Sequence, residues 1–258
     1  MPIVSIVNQK GGVAKTTTTA NLGACLAAKG QKTLVIDMDP QANLTLGLGC
    51  VEPKLPYGLD EALMNPDSAP LRRTLQHIGD IPLYLIPGSI AMAHAEKMLT
   101  PIVGSAYRLR RSLDALLKEI HFDWVLIDCP PSLGRLTEIA VIASNYLLIP
   151  TEPKFYSFAG MDTLNRMIVQ MNQDLDLNVQ LLGVLLTICE RKAKLHRYIS
   201  AEIRERFGDR VFDTVIHKNL RLSEAEVEGK PIIIYDRTAP GAIAYSALAD
   251  EVLRRVSS

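Results

Sequence analysis

Two hydrophobic signatures alternate along the chain. Short apolar runs, many of them β-branched, occur at Pro2 to Asn8, Lys32 to Asp37, Ile81 to Pro87, Trp124 to Asp128, Tyr146 to Pro150 and Gln180 to Cys189. They read as strands. Between them lie longer stretches whose apolar residues recur three and four apart. Lys15 to Lys29 carries Ala20, Leu22, Ala24, Leu26 and Ala27 and is followed by Gly30, a residue suited to the left-handed turn that closes a helix. Ala106 to Glu119 has leucines at 109, 113, 116 and 117, one apolar face of a helix. Further helices are expected near 157–171, 194–207 and 241–255. Strands apolar on both faces and separated by helices imply a parallel sheet covered on both sides. The expectation is therefore an α/β fold in a single domain: a mostly parallel, twisted β-sheet flanked by helices on both faces. Gln41 to Leu55, with Gly47, Gly49 and Pro53, reads as loop with weak helix, and the stretch from 42 to 80 is the least regular part.

Composition narrows the class without naming a function. The 258 residues are 48% hydrophobic and 22% charged, which excludes a disordered, collagen-like or coiled-coil chain. Lys and Arg number 28 and so do Asp and Glu, so nucleic-acid binding would have to come from a local patch. Cys25, Cys50, Cys129 and Cys189 form no C-x-x-C pair, and the five histidines show no ligand spacing. Scattered thiols suit a reducing compartment. No signal peptide is read at Met1 to Gly12, and no apolar run approaches the roughly 18 residues of a membrane span. A cytoplasmic protein without membrane association is expected.

The sharpest chemistry follows the first strand. Gln9-Lys10-Gly11-Gly12-Val13-Ala14-Lys15-Thr16-Thr17 leads from a strand into a helix, the setting a phosphate loop requires. Its glycines let backbone N–H groups turn toward phosphate oxygens, and the helix start adds positive dipole. Lys15 is placed to reach the β- and γ-phosphates, the Thr16 hydroxyl to ligate magnesium, and Thr17 to meet the α-phosphate. The spacing G-x-x-x-x-G-K-[ST] is not met: Gln9 and Ala14 stand where its glycines belong. Ala14 is expected at negative φ, since a Cβ disfavours the left-handed region.

Two acidic segments end apolar strands. Leu34 to Gln41 ends in Asp37-Met38-Asp39-Pro40-Gln41, and a persisting strand would put both carboxylates on one side. Asp123 to Gly134 runs through Val125-Leu126-Ile127 to Asp128-Cys129-Pro130-Pro131-Ser132-Leu133-Gly134, a carboxylate at a strand's C-terminal end opposite a phosphate loop. Three such motifs belong on one rim of an open α/β sheet, where ligands bind.

Together K-G-G-x-x-K-T, D-x-D-P-Q and D-C-P-P-S-L-G resemble the ParA/MinD family of deviant Walker A P-loop ATPases, on its ParA side, from Ile3 to about Val252. The resemblance implies a P-loop NTPase that uses ATP and magnesium. Lys10 would be the signature lysine, crossing the interface of an ATP-dependent homodimer to the other subunit's phosphates. Asp39 would position the attacking water, Asp37 would lie near magnesium through water, and Asp128 would be the Walker B acid. Asn219-Leu220-Arg221-Leu222-Ser223-Glu224-Ala225 and Gly229-Lys230-Pro231-Ile232 resemble a further family block, implying an adenine contact by Asn219. Here His217-Lys218 replaces the family's Pro-Arg, and Glu226-Val227-Glu228 its Pro-Ser-His.

Relatives bind double-stranded DNA without sequence preference through a few basic side chains. The matching positions are Lys192, Lys218, Arg221 and Arg237, joined by Arg191 and Lys194 in a basic stretch, all within 187–237. Each lysine fits a solvated helix face equally well. Lys154 reads either as a surface lysine or as a residue near nucleotide or dimer interface. The implied role is a partition or positioning ATPase on the nucleoid of a bacterium or archaeon. It would move a plasmid, chromosome or other cargo and be stimulated by a ParB-like or other adaptor. The chain is expected to lack an N-terminal helix-turn-helix extension. The alternatives are a MinD-like membrane-associated ATPase, for which the last helix, Ala242 to Val256, offers no basic amphipathic extension, and a small-molecule kinase or amide ligase.

Overall fold

The computed structural model describes residues 1–51, 57–154, 157–190 and 192–257, with side chains described for all but 157–163, 165 and 257. Its strands are β1 Ile3–Ile6, β2 Thr33–Asp37, β3 Gln76–Ile78, β4 Leu83–Ile86, β5 Trp124–Asp128, β6 Tyr146–Thr151, β7 Gln180–Cys189 and β8 Val211–His217. They form a single sheet in the order β3-β4-β2-β5-β1-β6-β7-β8, parallel except where β3 pairs antiparallel with β4. The six strands read from the sequence are all present. β3 and β8, at the two edges, were not foreseen.

The helices are α1 Lys15–Ala28, α2 Asn43–Gly47, α3 Leu59–Met64, α4 Met92–Leu99, α5 Arg108–Glu119, α6 Arg135–Ala143, α7 Ser157–Asp174, α8 Lys194–Phe207, α9 Leu220–Val227, α10 Ile232–Tyr235 and α11 Pro240–Ser257. α1 stops where expected: Gly30 takes φ 85°, its N–H donates to the Ala27 carbonyl at 2.9 Å, and the Gln31 N–H donates to that of Leu26 at 3.1 Å. These two bonds satisfy carbonyls that the helix end would otherwise leave open.

Each face of the sheet has its own core. On one, Ile36, Ile127, Ile149 and Val184 pack with Leu59, Leu109, Leu113 and Ile139 of α3, α5 and α6. On the other, Val35, Leu126, Leu148 and Leu185 pack with Leu22 and Leu26 of α1 and Tyr245, Leu248 and Val252 of α11. The apolar stripe of α11 is thus spent on packing. None of the helices among the described residues is long and apolar enough to cross a membrane.

Parallel pairing decides where the motifs go. β2, β5 and β1 are neighbours and run the same way, so their C-terminal ends share one rim. Asp37 and Asp128 face each other in register, and Ile6, last residue of β1, pairs with Asp128.

Candidate active site at the sheet rim

The loop between β1 and α1 is stapled from both sides. The Asn8 amide donates to the Pro150 carbonyl at 2.8 Å while its oxygen accepts the Lys10 N–H at 2.9 Å. The buried Thr187 hydroxyl of β7 donates to the Val13 carbonyl at 3.0 Å. Gly11 and Gly12 are exposed at the loop's crest and Val13 is buried beneath it. Gly12 has φ 70°.

One expectation about this loop is corrected. Ala14 stands at φ 63°, ψ 37°, in the left-handed region, and precedes the first residue of α1. The chain must turn sharply from strand into helix, and Gly12 and Ala14 both take left-handed conformations to do so. Alanine has the smallest side chain that can suffer there, at a cost of about 1 kcal/mol. The Ala14 carbonyl accepts the Thr18 N–H at 2.9 Å, so helical bonding starts at once.

Lys15 and Thr16 open α1 under this loop. Lys15 is 7% exposed, and its Nζ donates to the Lys10 carbonyl at 3.2 Å. Burial holds its pKa below the usual lysine value, against the pull of Asp128 and Asp39. The Thr16 hydroxyl donates to Asp128 Oδ2 at 2.7 Å. Thr17 is half-buried, its carbonyl accepting the Asn21 amide at 2.8 Å.

Asp37 and Asp128 are fully buried. Burial pushes Asp37 up to about 6, even though its Oδ2 accepts the Thr45 hydroxyl at 2.7 Å and the Thr45 N–H at 2.9 Å. Asp128 is raised well above the carboxylate range by burial and then by Asp37. β2 ends at Asp37, so Asp39 is not on a continuing strand. It lies in a turn, with its N–H donating to Asp37 Oδ1 at 3.2 Å and its Oδ1 accepting the Gln41 N–H at 2.9 Å. Cys129 is buried beside this cluster and its thiol is pushed up to about 12 by burial, which makes it a packing residue.

Sequence reading missed several residues that build this site. Thr45 of α2 holds Asp37 and also accepts the Gly88 N–H at 2.9 Å. A Cβ at Gly88 would stand 2.7 Å from the Asp37 carbonyl oxygen, so this position admits only glycine without a shift. Glu152, 8% exposed, meets Lys154 Nζ at 2.8 Å and Lys10 Nζ at 4.0 Å. Lys154 therefore belongs to the rim beside the phosphate loop.

The carboxy-terminal residues fall into two groups. Lys192, Lys218 and Asn219 line a cavity of about 880 Å³ with Cys189, His217 and Ile243, and Cys189 is two residues beyond Thr187 of the loop staple. Lys218 Nζ lies 3.2 Å from Glu190. Asn219 caps α9, its side-chain oxygen accepting the Arg221 N–H at 2.9 Å. Arg221 is exposed and pairs with Glu224 at 2.8 Å and Asp236 at 3.8 Å. Arg237 is exposed next to Asp236. Arg191 lies outside the described residues.

The AAA domain family matches residues 1–181. The chain is 40% identical to the sporulation initiation inhibitor protein Soj of Bacillus subtilis (strain 168) over 97% of each chain. It is 38% identical to the chromosome partitioning protein ParA of Caulobacter vibrioides (strain NA1000 / CB15N) over 98% of this chain and 94% of that one. The chain belongs to the ParA/MinD family of P-loop ATPases. The solved cobyrinic acid a,c-diamide synthase of Mycobacterium smegmatis, with bound ATP analogue and magnesium, superposes with a TM-score of 0.84 at 33% identity, over all of this chain and 96% of that one.

The rim fits the nucleotide and metal of a ParA/MinD-family ATPase. A threonine hydroxyl and two carboxylates are hard oxygen donors of the kind magnesium takes. Asp37 and Asp128 stand side by side and buried, an arrangement that a divalent cation would relieve. Thr16 and Asp128 would hold the metal, with Asp37 behind them. When bound, magnesium neutralises phosphate charge.

Proposed function

We propose that this chain is an ATP-dependent partition or positioning ATPase that binds DNA as a nucleotide-bridged homodimer and lets go on hydrolysis. The observation that carries the reading is the shared rim. Lys15, Thr16, Asp37, Asp39 and Asp128 are gathered from three adjacent strand ends at one loop-to-helix turn. In this reading Lys15 binds the terminal phosphates, Asp39 orients the attacking water, and Lys10 reaches the partner's nucleotide. The cavity lined by Asn219 takes the base. Lys192, Lys218, Arg221 and Arg237, doubled by dimerisation, give an overall neutral chain a phosphate-binding face. Its relatives Soj and ParA support the assignment, and slow intrinsic hydrolysis awaiting an adaptor completes the reading.

The test is DNA binding with ATP, ADP or no nucleotide at two salt concentrations, for the wild type, Lys10→Ala and Arg221→Glu. ATP-dependent, salt-sensitive binding that both substitutions remove is the expected result. Dimerisation with ATP but no DNA binding at low salt would overturn the DNA part of the reading.

A second reading, ATP-dependent amide formation, is favoured by the likeness to the M. smegmatis synthase. It requires that phosphate release depend on a carboxylate acceptor and an amide donor. Release with neither present counts against it.

A further inference from the structure

Glu152 is the acidic residue between two lysines at the mouth of the phosphate loop. It directly follows β6, and its side chain is only 10% exposed. Lys154 Nζ is 2.8 Å from Oε2, and Lys10 Nζ is 4.0 Å from the same oxygen. The Lys10 backbone is tied without nucleotide, its N–H to Asn8 and its carbonyl to Lys15. The side chain, 41% exposed, is the freer part.

A carboxylate within reach of the signature lysine has a direct consequence. An ammonium held by a carboxylate in its own subunit must leave it to meet phosphate oxygens elsewhere, and a half-buried pair costs more to break than a solvated one. Lys154 opposes that hold, since it shares the oxygen.

We infer that Glu152 is a positioning residue that keeps Lys10 on its own subunit and so raises the threshold for ATP-driven dimerisation, with Lys154 tuning the hold. This rests on the dimer reading above, in which Lys10 acts across the interface. The two neighbours then act in opposite directions. Removing the Glu152 charge frees Lys10. Removing the Lys154 charge takes away the lysine that competes with Lys10 for Oε2.

Two measurements test this on the full chain. The first is the Lys10 Nζ signal in ¹⁵N-lysine NMR spectra without nucleotide, assigned through Lys10→Arg. It is expected to move in Glu152→Gln. The second is the protein concentration at half-maximal self-association with ATP and magnesium, by analytical ultracentrifugation. Relief of one exposed-to-half-buried ion pair per subunit is worth about 1.4- to fivefold each, so Glu152→Gln should lower the midpoint by roughly 2- to 25-fold. Lys154→Gln should raise it, and Glu152→Asp, which keeps the charge on a shorter stem, should fall between the wild type and Glu152→Gln. Thermal melts show whether each variant is folded. A Lys10 signal that stays put in a folded Glu152→Gln overturns the inference. So does a midpoint that is unchanged or raised. If neither wild type nor variant associates with ATP although the Lys10 signal has moved, the ion pair stands and the dimer reading falls, taking the threshold with it.

Discussion

The Thr16 hydroxyl donates to Asp128 Oδ2 at 2.7 Å, joining the first turn of α1 to the last residue of β5. The pair is fixed by the fold, since β5 is the direct neighbour of the strand that feeds α1. It predicts that Thr16→Ala lowers magnesium-dependent ATP hydrolysis on the order of 100-fold or more, the usual scale for losing one preorganised group at a charged site. Thr16→Ser, which keeps the hydroxyl, should restore most of it. Phosphate release under saturating ATP reads both, and equal activity in all three proteins would dismiss the pairing as incidental.

Ala14 carries a left-handed backbone that glycine would take without strain. Ala14→Gly should therefore leave stability unchanged or raise it by up to about 1 kcal/mol, part of the gain being offset by the freer unfolded chain. Ala14→Val puts a β-branched residue at the same φ and should cost roughly 2 kcal/mol. Urea denaturation decides, and a valine variant as stable as the wild type would mean that the loop relaxes out of this conformation.

The legible parts of the chain are those where one local signal suffices. Trp124 to Asp128 and Gln180 to Cys189 are continuous apolar runs bounded by polar residues, and their ends coincide with β5 and β7. β8 was hidden because it is an edge strand with Asp213 and Thr214 in its middle. Their N–H groups bond to Glu251 of α11 at 2.9 and 3.0 Å rather than to a ladder partner. α6 was hidden because it is apolar almost all round and shows no period. The same division holds at the site. Lys15, Thr16, Asp37 and Asp128 lie in contiguous motifs. Thr45, Gly88 and Glu152 reach it through tertiary contacts that no spacing announces, and the left-handed Ala14 is set by the turn rather than by its residue type.

Burial of Asp37 gives a pH signature. Burial pushes its carboxyl up to about 6 in the folded chain from the ordinary 3.8 of a solvated aspartate, so the native state holds that proton more tightly than the unfolded chain does. The contribution to stability is fully present below about pH 4 and is lost as pH rises through 6, a change of up to ~3 kcal/mol. Asp37→Asn removes this titration and eases the strain on Asp128, which Asp37 raises. In melts without nucleotide or magnesium, the variant should gain on the wild type between pH 4 and 6.5 and hold a constant difference above that. A difference that does not vary with pH would show that Asp37 is not under this burden.

Gly88 is close-packed against Asp37. A methyl group there would stand 2.7 Å from the Asp37 carbonyl oxygen and 2.9 Å from its Cγ, and neither atom sits at the end of a flexible chain. Gly88→Ala should cost about 1–3 kcal/mol in urea denaturation. It should also lower the hydrolysis rate more than ATP affinity, because the added methyl bears on Asp37 and residue 88 is bonded to Thr45, which holds Asp37. A loss confined to affinity would place the disturbance elsewhere.

Arg221 is pinned to acids in its own chain. Glu224 lies 2.8 Å away, Asp236 3.8 Å away, and the Tyr235 hydroxyl donates to Glu224 at 3.4 Å. Glu224 raises the Arg221 pKa by hydrogen bond and charge, so the guanidinium stays charged and its availability is a matter of geometry. If Arg221 meets DNA phosphates, each binding event must exchange that contact with Glu224. Glu224→Gln should then tighten ATP-dependent DNA binding a few-fold at low salt. Arg221→Ala should weaken it across all sequences and, with one Arg221 lost from each subunit of the dimer, reduce the salt slope by about 2. Fluorescence anisotropy with duplexes of two unrelated sequences reads both effects. Weaker binding in a folded Glu224→Gln would mean that the ion pair presents Arg221 to DNA rather than withholding it.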